Sequence, residues 1–297
     1  MFRLIFVVLL LIIILDITVH NINVGNIRKN FPKEIISEIN DEIILPDIEG
    51  DKHNIPHTVH RTYISREKAE KFKEASRITL KENPFLTECF YDDNEIIEFI
   101  TKYYSNRVLH AYNSINKKYG PAKADFFRYM VIYVKGGLYL DVKSYAHKDI
   151  SELFKERDKL IVSKGRSHSS NINSFGIIPT YTNNYDWSMF SGIKYGEYNN
   201  WHFMAPPGHP IIGKMIQHIV LNIEQKKDNY KYGEYSVLVL TGPIIFTRVI
   251  EKYKDENNSK VMEPCYDGKV IYAIIDHKNN NKNHYSRIDE KNIIDVS

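Results

Sequence analysis

Cysteine is nearly absent from this chain: Cys89 and Cys265 are the only two in 297 residues. That leaves no disulfide framework, and no Cys/His spacing suggests zinc. The two are read either as one bridge in an oxidising compartment or as small buried hydrophobes. No internal repeat recurs at a solenoid or propeller period. No basic run interleaved with aromatics is present, and a net charge of +3 is too mild to imply a nucleic-acid partner. Long hydrophobic runs are missing except at the N-terminus. The chain is nevertheless 43% hydrophobic, ample for a sizeable core, and its length allows one domain or two. The abundance of Lys, Ile, Asn and Tyr carries no functional reading.

The exceptional run is Leu4 to Leu15, preceded by Phe2 and Arg3 and followed by Asp16 and Ile17-Thr18-Val19. Such a run suits a signal-peptide core, while extension to Val19 approaches the roughly 20 residues that span a bilayer. Thr18-Val19-His20 and Asn23-Val24-Gly25 are poor cleavage sites. Residues 1–19 are therefore read as a signal anchor, with a cleaved signal peptide as the alternative. Arg3 and the α-amino group hold the N-terminus in the cytosol, an asymmetry that Arg28 and Lys29 weaken. Residues 20–52 read as a stem of polar residues with short apolar patches, and Pro46-Asp47-Ile48-Glu49-Gly50 as a turn before the first core strand. Residues 53–297 form the folded domain.

Within that domain Pro121 to Lys143 says most. Ala122, Phe126, Tyr129, Met130 and Tyr133 share one helical face, and Pro121 suits a first turn. The other face is also largely apolar: between Ala124 and Val134 only Asp125 and Arg128 are charged. Charges on a helix apolar all round are desolvated, so they persist only when paired or employed. Gly136 and Gly137 suit a left-handed helix end, and Leu138-Tyr139-Leu140 a short buried strand with Asp141 at its C-terminal tip. In open α/β sheets ligands bind at such tips.

This stretch resembles the signature of glycosyltransferases of the sugar-binding Asp-X-Asp family, which includes fungal Golgi initiating mannosyltransferases and, distantly, the glucosylating domains of large clostridial toxins. The pattern runs Ala-x-x-Ala-Asp-x-x-Arg-Tyr-x-x-Leu-x-x-x-Gly-Gly-x-Tyr-x-Asp-x-Asp. Ala124, Asp125, Arg128, Tyr129, Gly136, Gly137, Tyr139 and Asp141 match it, whereas Lys143 stands at the second aspartate of the motif. Ile55-Pro56-His57-Thr58-Val59-His60-Arg61-Thr62-Tyr63 is similar to the family's opening strand, usually Ile-Pro-Lys-x-Ile-His-Gln-Thr-Trp. Asn83-Pro84 and Phe90-Tyr91-Asp92-Asp93 resemble the second strand and its turn. Ala205-Pro206-Pro207-Gly208-His209-Pro210 and Leu240-Thr241-Gly242-Pro243 resemble later landmarks, so the resemblance spans about residues 53 to 290.

The resemblance implies an α/β, GT-A-type Rossmann-like nucleotide-sugar fold, a central mixed sheet flanked by helices. It implies sugar transfer from a nucleoside-diphosphate sugar to a glycan or glycoprotein hydroxyl with retention of anomeric configuration; the N-terminal run, for its part, puts the catalytic domain in the lumen on a membrane anchor, or makes it secreted if that segment is cleaved. By the same resemblance Tyr63 stacks on the base, Asp125 and Arg128 hold ribose or sugar hydroxyls, and Asp141 faces the ribose, sugar and metal. His284 and Ser286 lie where the family carries a late His and a Ser-Trp pair over the phosphates, but no Trp follows Ser286 here. The family's divalent metal, Mn or Mg, is put in doubt by Lys143. Either Asp141 and late residues keep a weakened metal site, or the Lys143 ammonium meets the leaving diphosphate itself, as a catalytic group beside Asp141.

Plainer readings stand beside each of these. Asp125 and Arg128 also suit a plain i, i+3 helix ion pair. Tyr63 also suits a core or rim aromatic, Asp141 a loop cap, and Asp92 and Asp93 a turn. Trp201, His202 and His209 suit either packing or the acceptor side. Loss of the second carboxylate also keeps open a catalytically silent protein that binds nucleotide sugar or glycan.

Overall fold

The computed structural model describes residues 36, 39, 41–165, 197–226, 234–272 and 292–295. The N-terminal apolar run and the residues His284 and Ser286 lie outside them. Among the described residues no helix is long and apolar enough to cross a membrane.

The strands are β1 (Thr58–Thr62), β2 (Thr87–Tyr91), β3 (Gly137–Leu140), β4 (Tyr145–Ala146), β5 (Leu160–Ser163), β6 (His202–Ala205), β7 (Ser259–Met262) and β8 (Val270–Ile271). Six of them form one sheet in the order β2-β1-β3-β6-β5-β7, and β4 pairs with β8 apart from it. β1 runs parallel to β2 and β3, β6 is antiparallel to β3 and β5, and β5 is parallel to β7. The mixed α/β sheet implied by the sequence is thus borne out. The principal helices are α1 (Arg66–Ala69), α2 (Lys73–Glu82), α3 (Asp93–Tyr103), α4 (Asn106–Ser114), α5 (Gly120–Lys135), α6 (Pro210–Lys226), α7 (Glu234–Leu240) and α8 (Pro243–Tyr253).

Strand alternation divides the core. Tyr139, Phe203 and Ala205 face a large cluster with α5, α6 and α8, while Leu138, Leu140 and Met204 face a smaller one with Ile55, Val59 and Ile150. A central strand covered on both faces has no solvated side, so every residue of β3 is buried. α3 starts at a capping box: Asp92 accepts from the Asn94 and Glu95 amides, and Glu95 accepts from the Asp92 amide. Cys89 and Cys265 are not bridged to each other, which decides against the disulfide.

The expected helix reversal is present. Gly136 and Gly137 have φ of 62° and 96°. A Cβ on Gly137 would lie 2.5 Å from the Thr58 carbonyl oxygen, and one on Gly136 would lie 2.6 Å from Pro207 Cδ and 2.8 Å from Pro56 Cδ. Three motifs far apart in sequence, Ile-Pro-His, Gly-Gly and Ala-Pro-Pro-Gly-His-Pro, therefore meet at one tight crossing. The end of the stretch read as stem is docked on the same body. Ile43 and Ile48 are buried, Gln217 Nε2 donates to the Ile43 carbonyl at 3.3 Å, and Arg107 pairs with Asp41 at 2.6 Å.

Candidate functional site

β1 leads to β2 on one side, and the chain returns to β3 on the other side of β1. That reversal opens a crevice at the C-terminal edge between β1 and β3. Tyr63 leaves this edge after β1 and Asp141 leaves it after β3, from parallel strands in register at His60 and Tyr139.

α5 passes under the crevice and brings its two charges to Asp141. Arg128 Nη2 lies 2.9 Å from Asp125 Oδ1 and 2.9 Å from Asp141 Oδ1. Its Nη1 donates to the Asn200 carbonyl at 2.7 Å, and its guanidinium sits 4.6 Å from the Tyr139 ring centroid. The ion pair is both the i, i+3 helix pair and a bridge to the strand tip. Exposure rises along it, from 5% for the Arg128 side chain to 10% for Asp125 and 20% for Asp141, so Asp141 is the member open to a ligand. Arg128 Nε is buried without a hydrogen-bond partner, a spare donor in a group whose other nitrogens are engaged.

Burial is the largest influence on the Asp125 carboxyl and raises its pKa, with Arg128 opposing and Asp141 adding to the rise. Burial presses the Arg128 guanidinium the other way, but Asp125, Tyr139 and Asp141 outweigh it and leave its pKa raised. Arg128 is accordingly a fixed cation. Asn200 Nδ2 approaches both Asp125 Oδ1 and the Tyr129 hydroxyl at 3.3 Å, so Asn200 serves the pair through side chain and backbone.

Lys143 does not follow Asp141 along a strand. β3 ends at Leu140, and the Ser144 amide donates to the Asp141 carbonyl at 2.8 Å, closing a turn. Strand alternation therefore does not decide where Lys143 points. Its ammonium lies 4.4 Å from the Tyr272 ring centroid, a cation–π distance, and Tyr272 lies 5.0 Å from Trp201. The Trp201 carbonyl accepts from the Asp141 amide at 3.0 Å. Tyr63 is half-buried, edge-on to Phe72 at 5.3 Å, with Lys71 Nζ 5.4 Å from its ring. His202 and His209 are packing residues: His202 Nε2 meets Ser163 Oγ at 2.7 Å and His209 Nε2 donates to the Asn258 carbonyl at 2.9 Å.

Among the described residues no group of three His, Cys, Asp or Glu could hold a metal ion. Among the described residues the turn itself offers one carboxylate, Asp141, already engaged by Arg128, and the ammonium of Lys143. That chemistry does not fit a divalent cation, which takes several oxygen ligands.

Two contributors escaped the sequence reading. Asn200 carries no motif at all. Arg61 stands in the opening strand outside the motif's site residues, yet it is 1% exposed and donates to the Asp141 and Ser144 carbonyls at 2.9 and 2.7 Å. A lone charge in a strand of otherwise uncharged residues was the available signal.

Comparison with known proteins agrees with the motif. Residues 20–161 match the family described as a glycosyltransferase sugar-binding region containing a DXD motif. The chain is 30% identical over 165 residues to an initiation-specific alpha-1,6-mannosyltransferase of Schizosaccharomyces pombe, covering 50% of this chain and 38% of that protein. It is 26% identical over 163 residues to the enzyme of that name in Candida albicans, covering 52% and 40%. The matched region is thus less than half the length of these curated relatives. A solved structure titled PaToxG glycosyltransferase is similar at a TM-score of 0.43 and 16% identity, covering 80% of this chain and 76% of that one. The family resemblance read from the sequence is borne out.

Proposed function

We propose that this chain, which carries the sugar-binding region of the Asp-X-Asp glycosyltransferases, transfers a sugar from a nucleoside-diphosphate sugar to a hydroxyl of a glycan or glycoprotein, with retention of configuration. The observation that carries the reading is the Asp125–Arg128–Asp141 cluster at the crevice between β1 and β3. A sugar donor needs hydroxyls held by charged groups in a water-poor site, and this cluster supplies carboxylates and a planar fork of donors. Tyr63, on the neighbouring strand end, offers a ring for the base.

In the reaction the bond from the anomeric carbon to the diphosphate oxygen breaks with oxocarbenium character. A bond from the acceptor oxygen forms on the same face, and the acceptor proton passes to the departing phosphate. No protein nucleophile is assigned. The developing charge on the diphosphate needs a positive partner, and Lys143 on the turn after Asp141 is the residue we assign to it. His284 and Ser286 are candidates for the same phosphates from their place in the sequence. A GT-A-type fold, a lumenal catalytic domain and an N-terminal signal anchor belong to the same reading; the anchor rests on the apolar run Leu4 to Val19.

A panel of nucleotide sugars, with nucleotide release and acceptor glycosylation both followed with and without manganese, tests this. Transfer from one donor is expected. Lys143 in place of a carboxylate favours one alternative, a silent protein that binds donor or glycan, and binding without turnover across the panel would establish it. Sodium carbonate extraction and N-terminal sequencing test the anchor: membrane retention with an intact N-terminus is expected, and a soluble protein beginning near residue 20 would show a cleaved signal peptide.

A further inference from the structure

Arg61 uses its guanidinium in an unusual way for a residue buried inside a sheet. Nε donates to Glu88 Oε2 at 2.7 Å and Nη2 to Thr79 Oγ1 at 3.0 Å. Nη1 serves two backbone acceptors, the carbonyls of Asp141 at 2.9 Å and Ser144 at 2.7 Å. Those carbonyls are the two ends of the turn that contains Lys143. The acceptors of Arg61 are themselves fixed. Ser76 Oγ donates to the second Glu88 oxygen at 2.8 Å. Thr79 Oγ1 donates to the Ala75 carbonyl at 2.8 Å and accepts from the Ala146 amide at 3.2 Å. Ala146 pairs with Val270 on β8, and β8 leads directly to Tyr272, whose ring carries the Lys143 ammonium. The turn is thereby held at its base by Arg61 and at its exposed side by Tyr272. A buried ion pair adds little net stability over apolar residues of the same volume, whereas a planar fork sets geometry that an ammonium cannot reproduce.

We propose that Arg61 is a positioning residue: by gripping both ends of the Asp141–Ser144 turn it sets Asp141 and Lys143 at the spacing required by the donor. The importance of that spacing rests on the function proposed above; the grip itself does not. Two measurements separate them. In Arg61→Lys, amide hydrogen exchange at Ser144 should quicken about tenfold beyond any change in a core control such as Val108→Ala, at matched melting temperature. Its kcat per folded molecule should fall at least about tenfold while donor KM stays within about threefold, since misplacement by an ångström or less penalises the transition state. Should Arg61→Lys fail to fold, Thr79→Val removes one acceptor of the fork with the shape kept, and Thr79→Ser restores it. Thr79→Val should show both effects in weaker form and Thr79→Ser neither. Unchanged Ser144 exchange in Arg61→Lys or Thr79→Val overturns the grip. Faster exchange with unchanged kcat overturns the positioning role. If the wild type transfers no sugar at all, the function reading fails, while the exchange result still upholds or overturns the grip.

Discussion

Arg128 and Asp141 are 13 residues apart in sequence, and their ion pair at 2.9 Å joins the middle of α5 to the tip of β3 across the double-glycine reversal. The pair connects the helix that carries Asp125 and Arg128 to the C-terminal end of β3. Arg128→Lys keeps the charge but loses the second nitrogen that reaches the Asn200 carbonyl. The expected loss is about 2 kcal/mol, roughly 30-fold in donor kcat/KM, with the fold retained. Steady-state kinetics together with a melting curve measures it, and wild-type kinetics in Arg128→Lys would remove Arg128 from the donor site.

The reversal itself should tolerate no side chain. Gly137→Ala places a Cβ against the Thr58 carbonyl at a backbone φ of 96°, and strain with overpacking should cost on the order of 3 kcal/mol. Gly120→Ala is the control: a Cβ there meets nothing within 4 Å, and stability should change by less than about 0.5 kcal/mol. Urea midpoints compare the two. Equal midpoints would mean that the crossing is looser than these contacts require.

How far the site could be read from sequence follows from where each partner lies. Asp125, Arg128, the glycines and Asp141 were legible because helix, reversal and strand are one continuous segment whose period and punctuation can be counted. Arg61 and Asn200 were not, because their acceptors and donors come from Asp141 and Ser144 in one case and from Asp125, Arg128 and Tyr129 in the other, all more than 70 residues away. The direction of Lys143 is not legible from its spacing to Asp141, because the strand stops at Leu140 and a turn takes over. The docking of Ile43 was invisible for the same reason: Ile43-Ile44-Leu45 reads as a short apolar patch, and only the fold shows that Ile43 is 1% exposed and Ile44 79%.

That docking predicts an outcome for truncation. A chain beginning at residue 53 should melt lower than one beginning at residue 36, because it uncovers core that Ile43 and Ile48 close. Ile43→Ala should cost about 2 to 4 kcal/mol. Arg107→Ala should cost no more than about 1 kcal/mol, its pairs with Asp41 and Glu224 being partly exposed. Identical melting of the two truncations would show that the segment merely rests on the surface.

Stability should also fall in mild acid. Burial holds His60 and His209 down to about 4 and His202 to about 3, against 6.5 for the ordinary group. The unfolded chain therefore takes up protons as pH drops below about 6.5, where the folded one does not, so this contribution is complete above 6.5 and is lost on the way to 4. Asp125, with its raised pKa, opposes one of the three. About two net protons give a slope on the order of 3 kcal/mol per pH unit in the middle of that window. Urea midpoints from pH 8 to 5 should hold steady and then fall. A flat profile would contradict the burial of neutral imidazoles.

The proposed role of Lys143 is to do at the diphosphate what a metal held by a second aspartate would otherwise do, and transfer activity in EDTA decides between the two. Wild type should retain full activity in EDTA, Lys143→Ala should lose about 100-fold or more in kcat, the scale of one transition-state charge partner, and Asp141→Asn should abolish the site as the loss control. Strict dependence on manganese, with Lys143→Ala indistinguishable from wild type, would contradict the account.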